Sequence, residues 1–347
     1  MQNIFWNPIE RRLRSLWRLL LLLLLFLGFQ IFIGIVLGLV GTTLGMGAVI
    51  TDPNAILRDP LLRLVSISAA SLAIITSVWL AGRWFDHRPF SGFGFHLRRQ
   101  WWLDLAFGLA LGAVLMLLIF LIEWSAGWVA ISGSLVRGAT TPSYAVGILS
   151  GLLGYILVGF EEELLFRGYP VINVSEGLNL PRLGPRAALI LAYVLSSIVF
   201  GYAHIDNPNA TLVSTVNIMV AGLFLGLGFI LTGELAIPIG LHITWNFFQG
   251  YVFGFPVSGI GRTTSFIGIN QGGPDLWTGG AFGPEAGLIG LLAMLLGSLL
   301  IGLWVRLLYG KVRLDTELAQ YEAGGESLPD RGAGQEIAAG PHGGREG

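Results

Sequence analysis

The stretch "AVGILSGLLGYILVGFEEELLFRGY", Ala145–Tyr169, joins sixteen uncharged residues to three glutamates and an arginine within the next nine positions. Its first part approaches the ~20 residues an α-helix needs to cross a ~30 Å hydrocarbon core. Its second part sets charge where lipid is expected. Seven further runs of sixteen or more residues carry no charge: Leu19–Val40, Leu64–Ala81, Leu105–Ile122, Ala187–Tyr202, Leu212–Leu231, Leu235–Phe253 and Ala286–Val305. The chain therefore reads as an all-α, polytopic transmembrane helical bundle of about eight spans. Composition agrees, with 54% hydrophobic and only 12% charged residues, against roughly 25% charged in a soluble domain. A net charge of −1 without a basic-aromatic pattern gives no sign of a nucleic-acid partner. Zero cysteines exclude disulfides, thiolate metal sites and a cysteine nucleophile.

Flanking charge sets an expected orientation. The first span follows Arg11, Arg12, Arg14 and Arg18. It is too long for a signal h-region and lacks an A-x-A-like cleavage site, so it reads as a retained anchor. Lys and Arg number 14 on the N-terminal side and four on the other, Arg58, Arg63, Arg137 and Arg262. Positive loops stay inside, which predicts cytoplasmic termini in a bacterial plasma membrane. The expected division is a tail over 1–18, membrane helices over 19–142, a core over 143–255, a Gly-rich loop over 256–283, a last span over 284–308 and a disordered tail over 314–347. The Gly-rich loop, with its start at Gly254, reads as a connector more than a lid. Trp79, Trp84, Trp101, Trp102, Trp124 and Trp128 read as interfacial anchors at span ends. Fifty glycines point to close helix packing, and no internal repeat supports a repeat-built transporter.

Ionisable residues inside spans are costly and mark functional interiors. His87 and His96 fall in a loop and His342 in the tail, whereas His204 and His242 fall in or beside apolar runs. Glu163 and Arg167 are i,i+4 and can pair on one helix face. Glu162 points about 100° away from that face and is left free. Phe200 and His204 share a face, as do His242 and Asn246. A carboxylate, two imidazoles and a carboxamide suit amide hydrolysis, with a base for water and donors for the oxyanion. Taken singly, a charged helix end, a hydrogen-bonding His or a packing Asn explains each cluster, and Asn217 reads as packing glue.

In order, "EEELLFR" carries E-E-x-x-x-R as Glu162, Glu163 and Arg167, "FGYAH" carries F-x-x-x-H as Phe200 and His204, and "HITWN" carries H-x-x-x-N as His242 and Asn246. The triple resembles the motifs of the CPBP family of intramembrane proteases. This Abi or CAAX-protease family includes Rce1-type prenyl-protein proteases and bacteriocin-immunity proteins. The resemblance runs from Ala145 to about Phe253. It implies an eight-helix fold with a conical, cytoplasm-facing cavity, and a membrane-bound protein or lipidated peptide as substrate. It further implies that Glu162 and His204 activate water, that His242 and Asn246 hold the oxyanion, and that Glu163 and Arg167 support them. No cofactor is expected. Zn²⁺ on Glu162, His204 and His242 is a lesser alternative, since H-E-x-x-H is absent. A non-catalytic immunity or scaffold protein and a proton-coupled transporter remain rival readings.

One expectation strains the rest. Glu162 and His242 read as lying near cytoplasmic span ends, yet His204 follows Arg186 by 18 residues, or ~27 Å of helix. For hydrolysis, Glu162 and His204 must reach one shared water, with "HIDNPNA", His204–Ala210, breaking the helix in a polar cavity. The loop Arg83–Arg99 and the N-terminal tail are expected on the same side as the cavity entrance.

Overall fold

Backbone polar groups in hydrocarbon must be satisfied within their own segment, so uncharged runs become helices. The computed structural model describes residues 3–45, 47, 52, 55–56, 59–261 and 263–321. Arg58, Arg262, His342 and the tail beyond 321 lie outside them. A short antiparallel hairpin, β1 (Trp6–Asn7) and β2 (Arg12–Leu13), precedes α1 (Ser15–Thr43). There follow α2 (Pro60–Ala81), α3 (Arg99–Ser125), β3 (Val129–Val136), α4 (Tyr144–Glu163), α5 (Tyr169–Leu178), α6 (Gly184–Tyr202), α7 (Leu212–Thr232), α8 (Ala236–Phe247), β4 (Ser265–Gln271) and α9 (Leu288–Tyr309). Among the described residues, seven helices are long and apolar enough to cross a membrane. The protein is an integral membrane protein.

Local chemistry sets the helix ends. Asp59 accepts from Leu61 N and Leu62 N, both at 2.9 Å, and Pro60 opens α2. Ser143 caps α4, and Thr211 with Ser214 closes a reciprocal capping box on α7. The remaining uncharged run, Leu235–Phe253, makes α8 and a following π-helical turn, Phe248–Val252. It is shorter than the other spans and sits at the centre, with Ala236 through Trp245 all buried. Glycines bring it there. A Cβ on Gly108 of α3 would stand 2.5 Å from the Ile237 carbonyl, and one on Gly240 would stand 2.4 Å from the Leu105 carbonyl. The two backbones pack with nothing between them.

The helices alternate between two sides, called near (holding the N-terminus) and far. On the far side β3 pairs antiparallel with β4, so part of the Gly-rich loop is sheet and does more than connect. On the near side the described parts of both tails pack against the bundle. Arg12 and Arg18 are buried against Asp86 and Glu176, with Arg18 Nη1 to Asp86 Oδ1 at 2.6 Å and Arg12 Nη2 to Glu176 Oε2 at 2.8 Å. Arg88 also reaches Glu176. Residues 314–321, assigned from sequence to a disordered tail, dock on α5 and α7. Asp315 N donates to the Ile230 carbonyl at 2.8 Å, and Ser175 and Asn179 donate to the Leu318 and Ala319 carbonyls. The Tyr321 ring covers the Arg12 guanidinium at 3.3 Å. Backbone acceptors and apolar Leu314 and Leu318 explain this order, which composition hides. Trp79, Trp84, Trp102 and Trp124 are exposed as anchors should be, but Trp101 is buried and donates to the Gly94 carbonyl at 3.0 Å.

Candidate active site

Glu162 is not at the end of its span. A π-helical turn, Leu164–Gly168, carries α4 directly into α5, giving one helix over Tyr144–Leu178 of 35 residues. Glu162 thus lies about 24 Å of helix from Leu178, and Phe200 about 24 Å from Gly184 where α6 begins on the same side. The two levels coincide. This removes the depth conflict for His204, which sits in the turn just after α6. The error came from treating the charged cluster as a membrane boundary.

The π-helical turn keeps Arg167 beside Glu163, with Nη1 donating to Oε1 at 3.0 Å. The same Oε1 accepts from His242 Nδ1 at 2.7 Å. Arg167 Nη2 donates to the Gly222 carbonyl at 3.1 Å, and its Cζ lies 4.2 Å over the Phe200 ring. All of this is buried. A bare carboxylate or guanidinium at this depth costs several kcal/mol, and mutual pairing offsets it. Glu163 therefore fixes both Arg167 and the His242 ring.

Glu162 points the other way. Its side chain is 23% exposed, its Oε2 stands 3.9 Å from His242 Nε2, and that oxygen has no hydrogen-bond partner among the described residues. His204 Nδ1 lies 2.8 Å from the Phe200 carbonyl. A carbonyl can only accept, so Nδ1 carries a proton, and in the neutral ring Nε2 is then the acceptor. Phe200 packs against both imidazoles, at 4.8 Å from His204 and 6.3 Å from His242, and against Phe166 at 5.2 Å.

Glu162, His204, His242 and Asn246 all line one cavity of about 420 Å³, with Glu163 and Arg167 behind its wall. Sequence reasoning missed the other polar members: Arg63 and Ser66 of α2, Tyr155 of α4, Asn207, Ser258 and Glu285. None belongs to a motif; Arg63 stood out only as one of four far-side cations, and Asn207 only as part of the helix-breaking stretch His204–Ala210. The far loop enters the wall through Val257, Ser258 and Ile260. Asn207 and Asn209 tether it, donating to the Ser258 and Gly259 carbonyls at 3.0 Å. Asn217, read as glue, donates to the Ala286 carbonyl at 2.6 Å.

One expectation changes. The lining reaches the far helix ends and includes nothing from the near-side loops 82–98, 179–183 or 233–235. The cavity therefore faces away from Arg83–Arg99 and the N-terminal segment. Among the described residues no group of three or more His, Asp or Glu side chains is placed to hold a metal ion.

Comparison with known proteins agrees with the ordered motifs. An uncharacterised protein of Bacillus subtilis (strain 168), YyaK, is 27% identical over 290 residues, covering 79% of this chain and 90% of that protein. No solved structure matches. The family model for type II CAAX prenyl endopeptidases, Rce1-like, matches residues 144–248, the stretch holding all seven motif side chains. Within the helical membrane bundle, residues 144–248 thus match the Rce1-like type II CAAX prenyl endopeptidase (CPBP) family.

Proposed function

We propose that the protein is an intramembrane endopeptidase that hydrolyses a peptide bond of a membrane-associated protein or lipidated peptide in a bacterial plasma membrane. The observation that carries this reading is the convergence of Glu162, His204, His242 and Asn246, from three separate elements, on one cavity. Glu162, assisted by the His204 Nε2 lone pair, takes a proton from water as its oxygen adds to the scissile carbonyl carbon. The resulting oxyanion accepts from the Asn246 amide and from His242 Nε2–H. For that role His242 carries both ring protons, and Glu163 at Nδ1 supplies the opposing charge. Collapse of the tetrahedral species breaks the C–N bond, and the proton held by Glu162 and His204 passes to the leaving amine. No cofactor enters any step.

Near-side loop charge supports cytoplasmic termini. The cavity would then face the opposite, outer surface, contrary to the orientation the family resemblance implies.

The test compares membrane peptides from cells making the wild type with those making Glu162→Ala. A cleavage product lost only in the variant, with turnover resistant to chelators, supports the reading. Identical peptide populations would leave a scaffold, and a lost proton-driven uptake would point to a transporter.

A further inference from the structure

Pro170 stands two residues after the π-helical turn Leu164–Gly168, on the helix that carries Glu162. Proline has no N–H, so the Phe166 carbonyl, four positions back, lacks the donor a regular helix would give it, and the pyrrolidine ring crowds that oxygen. The ladder widens here, with Tyr169 N donating to the Leu164 carbonyl five positions back. The Ser196 hydroxyl of α6 donates to the Phe166 carbonyl. Ser196 is buried, and at this depth a carbonyl without a donor is costly. Phe200 lies one turn further along the same face of α6. Its ring meets that of Phe166 edge to face at 5.2 Å, and its carbonyl lies 2.8 Å from His204 Nδ1. Phe166 is thus gripped at backbone and ring by the helix that leads into His204. α6 is a firm support, because a Cβ on Gly222 of α7 would stand 2.9 Å from Ser197 Cα. The Gly222 carbonyl in turn accepts from Arg167 Nη2 at 3.1 Å, so the π-helical turn is fastened to both helices.

Resting on the peptidase reading, we propose that Ser196 is a positioning residue: bonded to the carbonyl that Pro170 leaves free, it clamps the π-helical turn to α6 and so sets the gap between Glu162 and His204. Glu162 and Phe166, four positions apart, both line the cavity, as do Phe200 and His204. A shift of the turn along α6 therefore moves the hydrolytic carboxylate relative to the imidazole. Neither Ser196 nor Pro170 touches the reacting atoms. Their effect is on geometry, to which hydrolysis is sensitive, since a misplacement of about 1 Å can cost about a hundredfold in rate.

The test uses purified full-length protein in nanodiscs. The chain has no cysteine, so nitroxides on Leu153→Cys of α4 and Tyr202→Cys of α6, both exposed positions, report the separation of the two helices by double electron–electron resonance without any substrate. Ser196→Ala should shift or broaden that distance distribution, and Ser196→Thr, which keeps the hydroxyl, should restore it. In a Pro170→Ala background residue 170 regains an N–H for the Phe166 carbonyl, and Ser196→Ala should then change the distribution little. On the peptide found by the Glu162→Ala comparison, Ser196→Ala should lower kcat about ten- to a hundredfold with KM unchanged, and Ser196→Thr should recover most of it. An unchanged distribution in folded Ser196→Ala protein overturns the proposal. So does full kcat in that variant, or an equal effect of Ser196→Ala with and without Pro170. A wild type that cleaves nothing sinks the peptidase reading alone, because the spin-label distances still decide whether the clamp exists.

Discussion

Adjacent glutamates in one motif carry different burdens. Glu163 accepts from Arg167 and His242 together and has no exposure, whereas Glu162 is partly exposed and stands clear of the pair. Replacing Glu163 by alanine strands a buried guanidinium and frees the His242 ring, which should cost about 3–5 kcal/mol. Glu162→Ala should leave the melting temperature within a few degrees while lowering turnover by about 10²–10⁴-fold. Thermal melts and cleavage rates on both variants check the contrast, and equal destabilisation by the two would contradict it. The four-residue spacings made Glu163–Arg167, Phe200–His204 and His242–Asn246 legible beforehand, because helix geometry is local. The grip of Glu163 on His242 spans 79 positions. It depends on how α4 meets α8, which no spacing encodes.

The helices themselves were legible as uncharged runs, but their depth was not. Hydropathy ends a span at the first charges, so the run closing at Phe160 hid a helix that continues to Leu178. The extension is possible because Arg167 and Glu163 neutralise each other inside the protein. α8 is the converse case, a run long enough to look like an ordinary span that is the buried centre of the bundle. Its seat depends on paired glycines at Gly108 and Gly240. Gly240→Val must push against the α3 backbone at Leu105 and Leu109, which cannot swing aside. The expected cost is about 1–3 kcal/mol or more, read as a lowered melting temperature. Turnover should also drop, because His242 and Asn246 ride on that helix. Gly302, whose added Cβ meets nothing, should accept alanine without either effect.

Across the whole molecule the absence of cysteine provides a clean background for mapping sides. A cysteine at Ser91 in the near-side loop should be shielded from an impermeant maleimide added to intact cells. One at exposed Asp206 beside the cavity should react. The reverse pattern would place the termini outside and the cavity in the cytoplasm. The far-side loop brings a pH dependence as well. Glu285, outside the spans, is pushed up to about 7 by burial while it accepts from Ser258 N and Gln249. The folded state holds its proton more tightly than the unfolded one. Its stabilising share is therefore full below the ordinary value of 4.5 and is lost as pH rises through about 7. Wild-type melting temperature should fall between about pH 5 and about pH 8 relative to Glu285→Gln. Neither the loop's place in the wall nor this buried acid could be read from a Gly-rich segment, whose path is set by long-range hydrogen bonds from Asn207 and Asn209.

The Tyr321 ring lies flat on Arg12, so two segments more than 300 positions apart are fastened to each other. Trimming after Arg313 would strip the cover from that guanidinium and remove the backbone acceptors that Ser175 and Asn179 use. Trimming after Tyr321 would touch none of them. Engineers shortening this protein for crystallisation should cut at the second point, and those wishing to staple the two segments covalently would find Arg12 and Tyr321 already side by side.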